Sequence, residues 1–307
     1  MKKRKLYSKK SALGRAVRSK GRSLAGWICM LALIGAVTSA GYWLYHRGGS
    51  ETEKMHEKGP APRVAGTLED HEIAGPKERV RKKARAGNRV AFVIDDMGYD
   101  VSILDEILAI DIPITISILP HLPYSIAVAR EAHRRGKEVL LHLPMEPYGY
   151  PAERRPGSGA LLLRMDASEI VDQLEKDIRS VPHISGVNNH MGSSFMEDEE
   201  KVKVVLQDLK RRGVFFLDSL TTKDSKGLAV AEKIGLPHAK RDIFLDNDCD
   251  FEEALDILHN LVEKRDMWKT IIIIGHPYES TVRAIGAAVP VFRGNDISIA
   301  PLSDLIE

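Results

Sequence analysis

The stretch RVAFVIDDMGYD, residues 89–100, joins an apolar strand to a pair of carboxylates. Five strand-forming residues at 90–94 lead directly into Asp95 and Asp96, and Gly98 then permits a turn. Two adjacent like charges at the end of a buried strand are costly unless a cation or hydrogen bonds stabilise them. An isolated Asp pair before a glycine also suits a simple turn, so the neighbouring segments decide between the two interpretations.

Those segments alternate between strand and helix patterns. Apolar strand patterns cover residues 89–94, 113–119, 137–143, 184–189, 214–218, 242–245, 270–275 and 297–300. Amphipathic helix patterns cover 100–110, 124–135, 166–180, 197–212, 226–234, 250–267 and 279–288. Continuous apolar strands separated by helices are typical of parallel sheets covered by helices. We therefore predict an α/β fold, a distorted or incomplete (β/α) barrel of about seven parallel strands. An open doubly wound sheet is the alternative, although no nucleotide-binding glycine fingerprint or P-loop follows any strand.

Charge is distributed unevenly along the chain. Residues 1–23 contain ten Lys or Arg and no acid, so the remainder holds 35 basic and 43 acidic residues. This acidic balance excludes a general nucleic-acid-binding face in the larger part of the chain.

The N-terminal segments indicate export. Residues 24–45 are 22 residues without a charge, with aromatic residues near both ends, which is long enough for a transmembrane helix. A cleaved signal peptide is the alternative. We predict a basic cytoplasmic tail (1–23), an inner-membrane anchor or signal segment (24–45), a flexible linker (46–88) and a periplasmic domain (89–307). If the segment is cleaved, the domain is released into the periplasm.

Polar residues follow most of the predicted strands, where parallel α/β proteins bind ligands. They are Asp95, Asp96, His121, His142, Glu146, Asn188, Asn189, His190, Asp218 and His276. Each has a structural explanation as a turn former, helix cap or buried histidine, but all of these explanations would have to hold together. One Asp with two His from other strands forms a site open to water, as catalytic zinc requires. We predict a divalent metal, with zinc preferred for this mixed nitrogen and oxygen set.

The motifs VIDDMG, LLHLPMEP, NNHMGS, FFLDS and IGHPY, in this order, resemble the divergent polysaccharide deacetylase family over about residues 88–306. The resemblance implies Asp95 as catalytic base, Asp96 and His142 as metal ligands, and His276 as the acid that protonates the departing amine. Ordinary deacetylases carry a second histidine four residues after the first, where this chain has Glu146. Either Glu146 or His190 supplies the missing ligand, and we prefer His190. We assign Arg241 as a substitute for the family's arginine, and Asp218, Arg241 and Asn189 to substrate binding.

The resemblance implies hydrolysis of N-acetyl groups on an envelope polysaccharide such as peptidoglycan. A second hypothesis is a non-catalytic glycan-binding or envelope-scaffold protein that keeps the metal site. A third is a glycoside hydrolase in which Asp95 and Asp218 act as paired carboxylates across one cleft, about 5–9.5 Å apart.

Overall fold

One parallel sheet positions the site. The computed structural model describes residues 87–306, in which nine strands pair in parallel. The strands are β1 (Arg89–Met97), β2 (Ile114–Ile118), β3 (Glu138–Met145), β4 (Gly186–Met191), β5 (Phe215–Asp218), β6 (His238–Lys240), β7 (Ile243–Phe244), β8 (Thr270–Gly275) and β9 (Ser298–Ile299). The predicted tail, anchor and nearly all of the predicted linker lie outside the described residues. None of the helices within residues 87–306 combines the length and apolar character needed to cross a membrane.

The strand order is that of an incomplete barrel. Strands follow each other as β6-β5-β4-β3-β2-β1-β8-β7, and β9 pairs with the start of β1. Each of the strands β1 to β6 is therefore next to its neighbour in the chain, β7 is next to β8, and β8 is next to β1, as in a barrel. The barrel is open between β6 and β7. A doubly wound sheet would reverse its order at a switch point, so that alternative is wrong. The sequence analysis missed β6, a three-residue strand with no continuous apolar run.

Helices connect most strands, and their ends follow local capping chemistry. They are α1 (Leu104–Ala109), α2 (Ser125–Arg134), α3 (Ala167–Ser180), α4 (Glu199–Arg212), α5 (Gly227–Ile234), α6 (Phe251–Glu263) and α7 (Glu279–Gly294). Helix α3 begins with a capping box in which Asp166 and Glu169 satisfy each other's backbone N–H groups. Helix α4 ends at Gly213, whose φ of 71° suits glycine. The first helix begins later than predicted, because Asp100 accepts hydrogen bonds from Ser102 instead of capping the helix.

The two faces of the sheet bury different apolar clusters, and side chains alternate between them. Val90, Phe92 and Ile94 of β1 pack with the helices in the outer cluster, whereas Ala91 and Val93 belong to the inner cluster. The inner cluster also contains residues of β3, β5 and β8 and of the C-terminal segment, namely Leu140, Phe215, Leu217, Ile272, Ile274, Ala300, Leu302 and Leu305. Side chains alternate between the two faces along each strand. A polar residue at the strand's end therefore points to the inner face if it is an even number of residues from an inner apolar residue, and we call this relation its parity.

Candidate metal centre

The end of β1 turns both of its carboxylates to the site. Asp95 has the parity of the inner residues Ala91 and Val93, so it continues the inner face. The register between β1 and β2 then shifts between Ile94 and Met97, and Asp96 has a φ of 57°. This bulge and the left-handed residue interrupt the alternation, so Asp96 lies beside the same centre. The two adjacent acids at the strand end are thus explained by the backbone.

Three side chains from three strands converge on one point. His190 Nδ1 and His142 Nε2 lie 2.9 and 3.1 Å from Asp96 Oδ1, and the two nitrogens are 3.1 Å apart. Ligand atoms of a tetrahedral zinc ion are separated by about 3.3 Å. Within the described residues, Asp96 Oδ1 is buried and has no hydrogen-bond partner. Its lone pairs point toward the two histidines and are not used in a hydrogen bond. These residues fit a divalent cation, and the predicted cluster of Asp96, His142 and His190 comes together.

The charges in this cluster stabilise one another. Burial alone would raise the pKa of Asp96, but the close approach of the His142 and His190 nitrogens outweighs it and places that pKa well below its usual range. Burial alone would lower the pKa of His142, but the neighbouring carboxylates of Asp95 and Asp96 raise it above its ordinary value. The carboxylates and imidazoles of this cluster therefore attract one another.

Asn188 of β4 joins the metal ligands to the predicted base, a role that the sequence analysis did not assign. Its Oδ1 accepts from His142 Nδ1 at 3.0 Å and from the Ser117 hydroxyl at 2.6 Å. Its Nδ2 donates to Asp95 Oδ1 at 2.9 Å and to the Ser219 hydroxyl at 3.1 Å. Because His142 Nδ1 carries the hydrogen, its Nε2 presents a lone pair to the centre, as a metal-ligating histidine requires. The side chain is fully buried.

Asp95 and His276 each lie beside a different member of the cluster. Asp95 is buried, and its Oδ2 is 3.7 Å from His142 Nε2. His276 follows β8, and its Nε2 is 3.7 Å from Asp96 Oδ2. The structure thus brings both predicted catalytic residues to the ligand set.

Asp246 orients His276, and the sequence analysis missed it. Its Oδ1 lies 3.0 Å from His276 Nδ1, while its Oδ2 accepts from the backbone N–H of His276 at 2.5 Å and from the Thr281 hydroxyl at 2.8 Å. Burial lowers the pKa of His276, but Asp246 and Asp96 raise it above its ordinary value. Its position just past the short strand β7 was the signal that could have identified Asp246.

The residues predicted to bind substrate have a different location. Asn189 and Asp218 have the parity of the outer face, because Asn188 and Leu217 occupy the inner one. Asn189 Oδ1 accepts from the backbone N–H of Ser219 at 2.9 Å, and its Nδ2 donates to the carbonyl of Met191. Asp218 is fully buried and accepts from Leu220 N–H at 2.9 Å and from the Ser225 hydroxyl at 2.6 Å. Asn189 and Asp218 therefore hold the loop after β5, and their assignment to substrate binding stays a prediction.

Arg241 contributes to the same set of contacts, which hold the loop after β5. Its Nε donates to the carbonyl of Ser219 at 2.8 Å and its Nη2 to that of Leu220 at 3.1 Å. Leu220 has a φ of 49°, so these bonds hold a residue in the left-handed region. Arg241, like Asn189 and Asp218, fixes the loop that places the Ser219 hydroxyl against Asn188.

These contacts bear on two open alternatives. Glu146 accepts from the backbone N–H of Leu163 at 2.9 Å and is not part of the cluster, whereas His190 is, so the cluster favours His190 over Glu146 as the third candidate ligand. The paired-carboxylate hypothesis of a glycoside hydrolase requires Asp218 to face a cleft together with Asp95, whereas both Asp218 oxygens are buried and hydrogen-bonded within the protein. That hypothesis stays untested and receives no support from these contacts.

Known proteins are similar to this chain in sequence or in fold. A family model described as "Divergent polysaccharide deacetylase" matches residues 92–306. The chain is 33% identical over 201 residues to the uncharacterized protein YibQ of Escherichia coli K12, a match that covers 64% of this chain and 61% of YibQ. It is 30% identical over 204 residues to an uncharacterized protein of Haemophilus influenzae, covering 66% of this chain and 72% of that protein. The crystal structure of an uncharacterized protein from Agrobacterium tumefaciens has a TM-score of 0.69 and 26% identity, covering 73% of this chain and 91% of that one.

Proposed function

Because the chain belongs to the divergent polysaccharide deacetylase family, we propose that it is a metal-dependent hydrolase that removes N-acetyl groups from an envelope polysaccharide such as peptidoglycan. One observation carries this proposal. A buried carboxylate, Asp95, and an oriented imidazole, His276, each lie 3.7 Å from a member of a convergent Asp–His–His cluster. Amide hydrolysis needs such a base and acid about one activated water.

Asp96, His142 and His190 would hold the cation, and their mixed nitrogen and oxygen donor set favours zinc. When bound there, zinc supplies Lewis acidity that acidifies water and polarises the acetamide carbonyl. Asp95 accepts the proton from the attacking water, with its carboxylate fixed by Asn188. His276 Nε2 gives a proton to the nitrogen as the C–N bond breaks, while Asp246 holds Nδ1. The products are acetate and a free amine on the sugar.

The cellular setting is part of the same proposal. The uncharged segment 24–45 after a basic tail supports an inner-membrane anchor with the hydrolase domain on the periplasmic side, or release into the periplasm if the segment is cleaved. An envelope glycan is the acetylated polymer that such a domain would meet.

The test is acetate release by the full-length chain. Purified protein should contain about one zinc per chain by elemental analysis and release acetate from peptidoglycan fragments or from N-acetylglucosamine oligosaccharides. Asp95→Asn should keep the metal and lose acetate release by about 10²-fold or more. Asp105→Asn makes the same exchange at an exposed position on α1 and should keep both. Equal acetate release by Asp95→Asn and wild type would contradict the assignment. Metal and glycan binding with no acetate from any of these substrates would favour the non-catalytic hypothesis.

A further inference from the structure

The chain crosses the opening of the barrel in two residues, Arg241 and Asp242, which join β6 to β7. The backbone N–H of Arg241 donates to the carbonyl of Asp218 on β5 at 2.9 Å. The backbone N–H of Asp242 donates to the carbonyl of Ile272 on β8, also at 2.9 Å. Two successive residues are therefore bonded to strands on the two sides of the opening.

The guanidinium of Arg241 contacts both sides as well. It donates to the carbonyls of Ser219 and Leu220 in the loop after β5. Its Cζ also lies over the ring of Phe244 on β7, 5.2 Å from the ring centroid. A guanidinium is attracted to an aromatic face within about 6 Å of the centroid. Arg241 therefore ties the loop after β5 to β7 across the opening.

Phe244 in turn contacts His276. Phe244 pairs in register with Ile274 of β8, two residues before His276. The phenyl and imidazole centroids are 5.0 Å apart and the rings are inclined at 64°, an edge-to-face contact. Asp246 holds Nδ1 of His276, but the terminal torsion of a histidine side chain has broad minima, so one hydrogen bond fixes that nitrogen and not the plane of the ring. The Phe244 ring supplies a second contact that fixes the plane.

We propose that Phe244 is a positioning residue that sets the imidazole plane of His276, and that Arg241 holds Phe244 in place across the opening of the barrel. This inference rests on the proposed function, in which His276 Nε2 gives a proton to the departing nitrogen. Tilting of the imidazole moves Nε2 away from that nitrogen, and a misplacement of about 1 Å costs up to about 10²-fold in rate.

The first experiment compares turnover of an N-acetylglucosamine tetrasaccharide by full-length variants. Phe244→Leu keeps an apolar side chain but removes the aromatic edge, so it should lower kcat by about tenfold and leave KM within about twofold of wild type. Phe244→Tyr keeps the ring and should retain kcat within about threefold of wild type. Arg241→Lys keeps the charge but lacks the planar fork, so it should lower kcat by about tenfold, again with little change in KM. Because the two residues act through one contact, the double variant should be no more than about threefold slower than the slower single variant.

Arg283 and Phe251 supply a matched control pair. The Cζ of Arg283 on α7 lies over the ring of Phe251 on α6, 5.0 Å from its centroid. Arg283→Lys and Phe251→Leu make the same two exchanges and should leave kcat unchanged. The inference is overturned if Phe244→Leu turns over at the wild-type rate, if only KM changes, if the effects of the Phe244 and Arg241 variants multiply, or if the control pair lowers kcat equally.

The second experiment observes His276 without turnover. The histidines of the full-length chain are labelled with ¹⁵N, and the imidazole signals of His276 are those that disappear in His276→Gln. Wild type should give one set of signals for this ring. Arg241→Lys leaves the Phe244 ring present and should broaden or double that set, whereas Arg283→Lys should not. An unchanged His276 set in Arg241→Lys overturns the inference. If wild type releases no acetate from any substrate, the proposed function fails, and these signals still decide whether Arg241 and Phe244 position the imidazole.

Discussion

Replacement of Asn188 by leucine should damage metal binding and stability together. The variant keeps the approximate volume of the side chain but removes four buried hydrogen bonds, to Ser117, His142, Asp95 and Ser219. Each buried polar group left without a partner costs about 1–3 kcal/mol, although the two hydroxyls can rotate to new partners. The Asp95 and His142 groups cannot, so we expect the free energy of unfolding to fall by about 2–6 kcal/mol.

The effect on the metal follows from the imidazole tautomer. In wild type, Asn188 Oδ1 keeps the hydrogen of His142 on Nδ1, so the lone pair of Nε2 is free for the metal. The leucine variant lacks this acceptor and no longer favours that tautomer. Loss of such a supporting contact typically reduces metal affinity by about 10–100-fold. We therefore expect this loss for zinc in Asn188→Leu, measured by competition with a chromogenic chelator on the full-length chain.

A second variant separates the two functions of this residue. Asn188→Asp keeps an acceptor for His142 but replaces the donor to Asp95 by a second carboxylate. At neutral pH it should hold zinc within about threefold of wild type, because the supporting contact survives. Acetate release should fall by about 10²-fold, because Asp95 is no longer held. Wild-type zinc affinity in Asn188→Leu would refute this reasoning, since the side chain would then not orient His142.

Three further predictions concern other parts of the chain. Asp246→Asn should lower acetate release by about 10²-fold or more with unchanged zinc content, because the amide no longer holds His276 as a charged acid; full activity would show that His276 is oriented otherwise. Burial raises the pKa of Asp177 to about 6 from 3.8, so its protonated form stabilises the fold at low pH and that contribution is lost as the pH rises through about 6. The unfolding free energy of wild type relative to Asp177→Asn should therefore fall by up to about 3 kcal/mol between about pH 4 and pH 7, and parallel denaturation curves would contradict this. Gly227→Ala should lower the free energy of unfolding by about 1–3 kcal/mol, because the new Cβ would overlap the Asp218 carboxylate. The control, Gly286→Ala, has open space around its Cβ and should leave that free energy unchanged or raise it by up to about 1 kcal/mol. Thermal unfolding measures both.

Much of the fold could be predicted because its signals are local. The apolar runs of β1, β3 and β8 are buried on both sides, so their composition alone identifies them as parallel strands. Strand β6 could not be found in this way, since its three residues, His238, Ala239 and Lys240, include no large apolar side chain. Its existence depends on pairing with β5, which is a property of the assembled sheet.

The sequence predicted the location of strand-end side chains that point to the inner face of the sheet. It did not predict the location of those that point to the outer face. His142 and Leu140 share a parity, as do His276 and Ile274, so the apolar pattern already aimed these histidines inward. The same rule assigns Asp218 and Asn189 to the outer face, where they fix a loop. Their position at a strand end was a correct signal for the edge of the sheet, but the alternation of side chains decides which residue reaches the centre.

The arrangement of acid and base follows from two neighbouring strands. Ile94 of β1 pairs with Gly275 of β8, so Asp95 and His276 leave the sheet at the same level on adjacent strands. Adjacent strands are only about 4.8 Å apart, which would place the two proton-transfer groups side by side. The left-handed Asp96 intervenes: its Oδ1 faces the two ligand histidines, and its Oδ2 faces His276. The two oxygens of this one bulged residue therefore face the histidine pair of the cluster and the proposed acid, respectively.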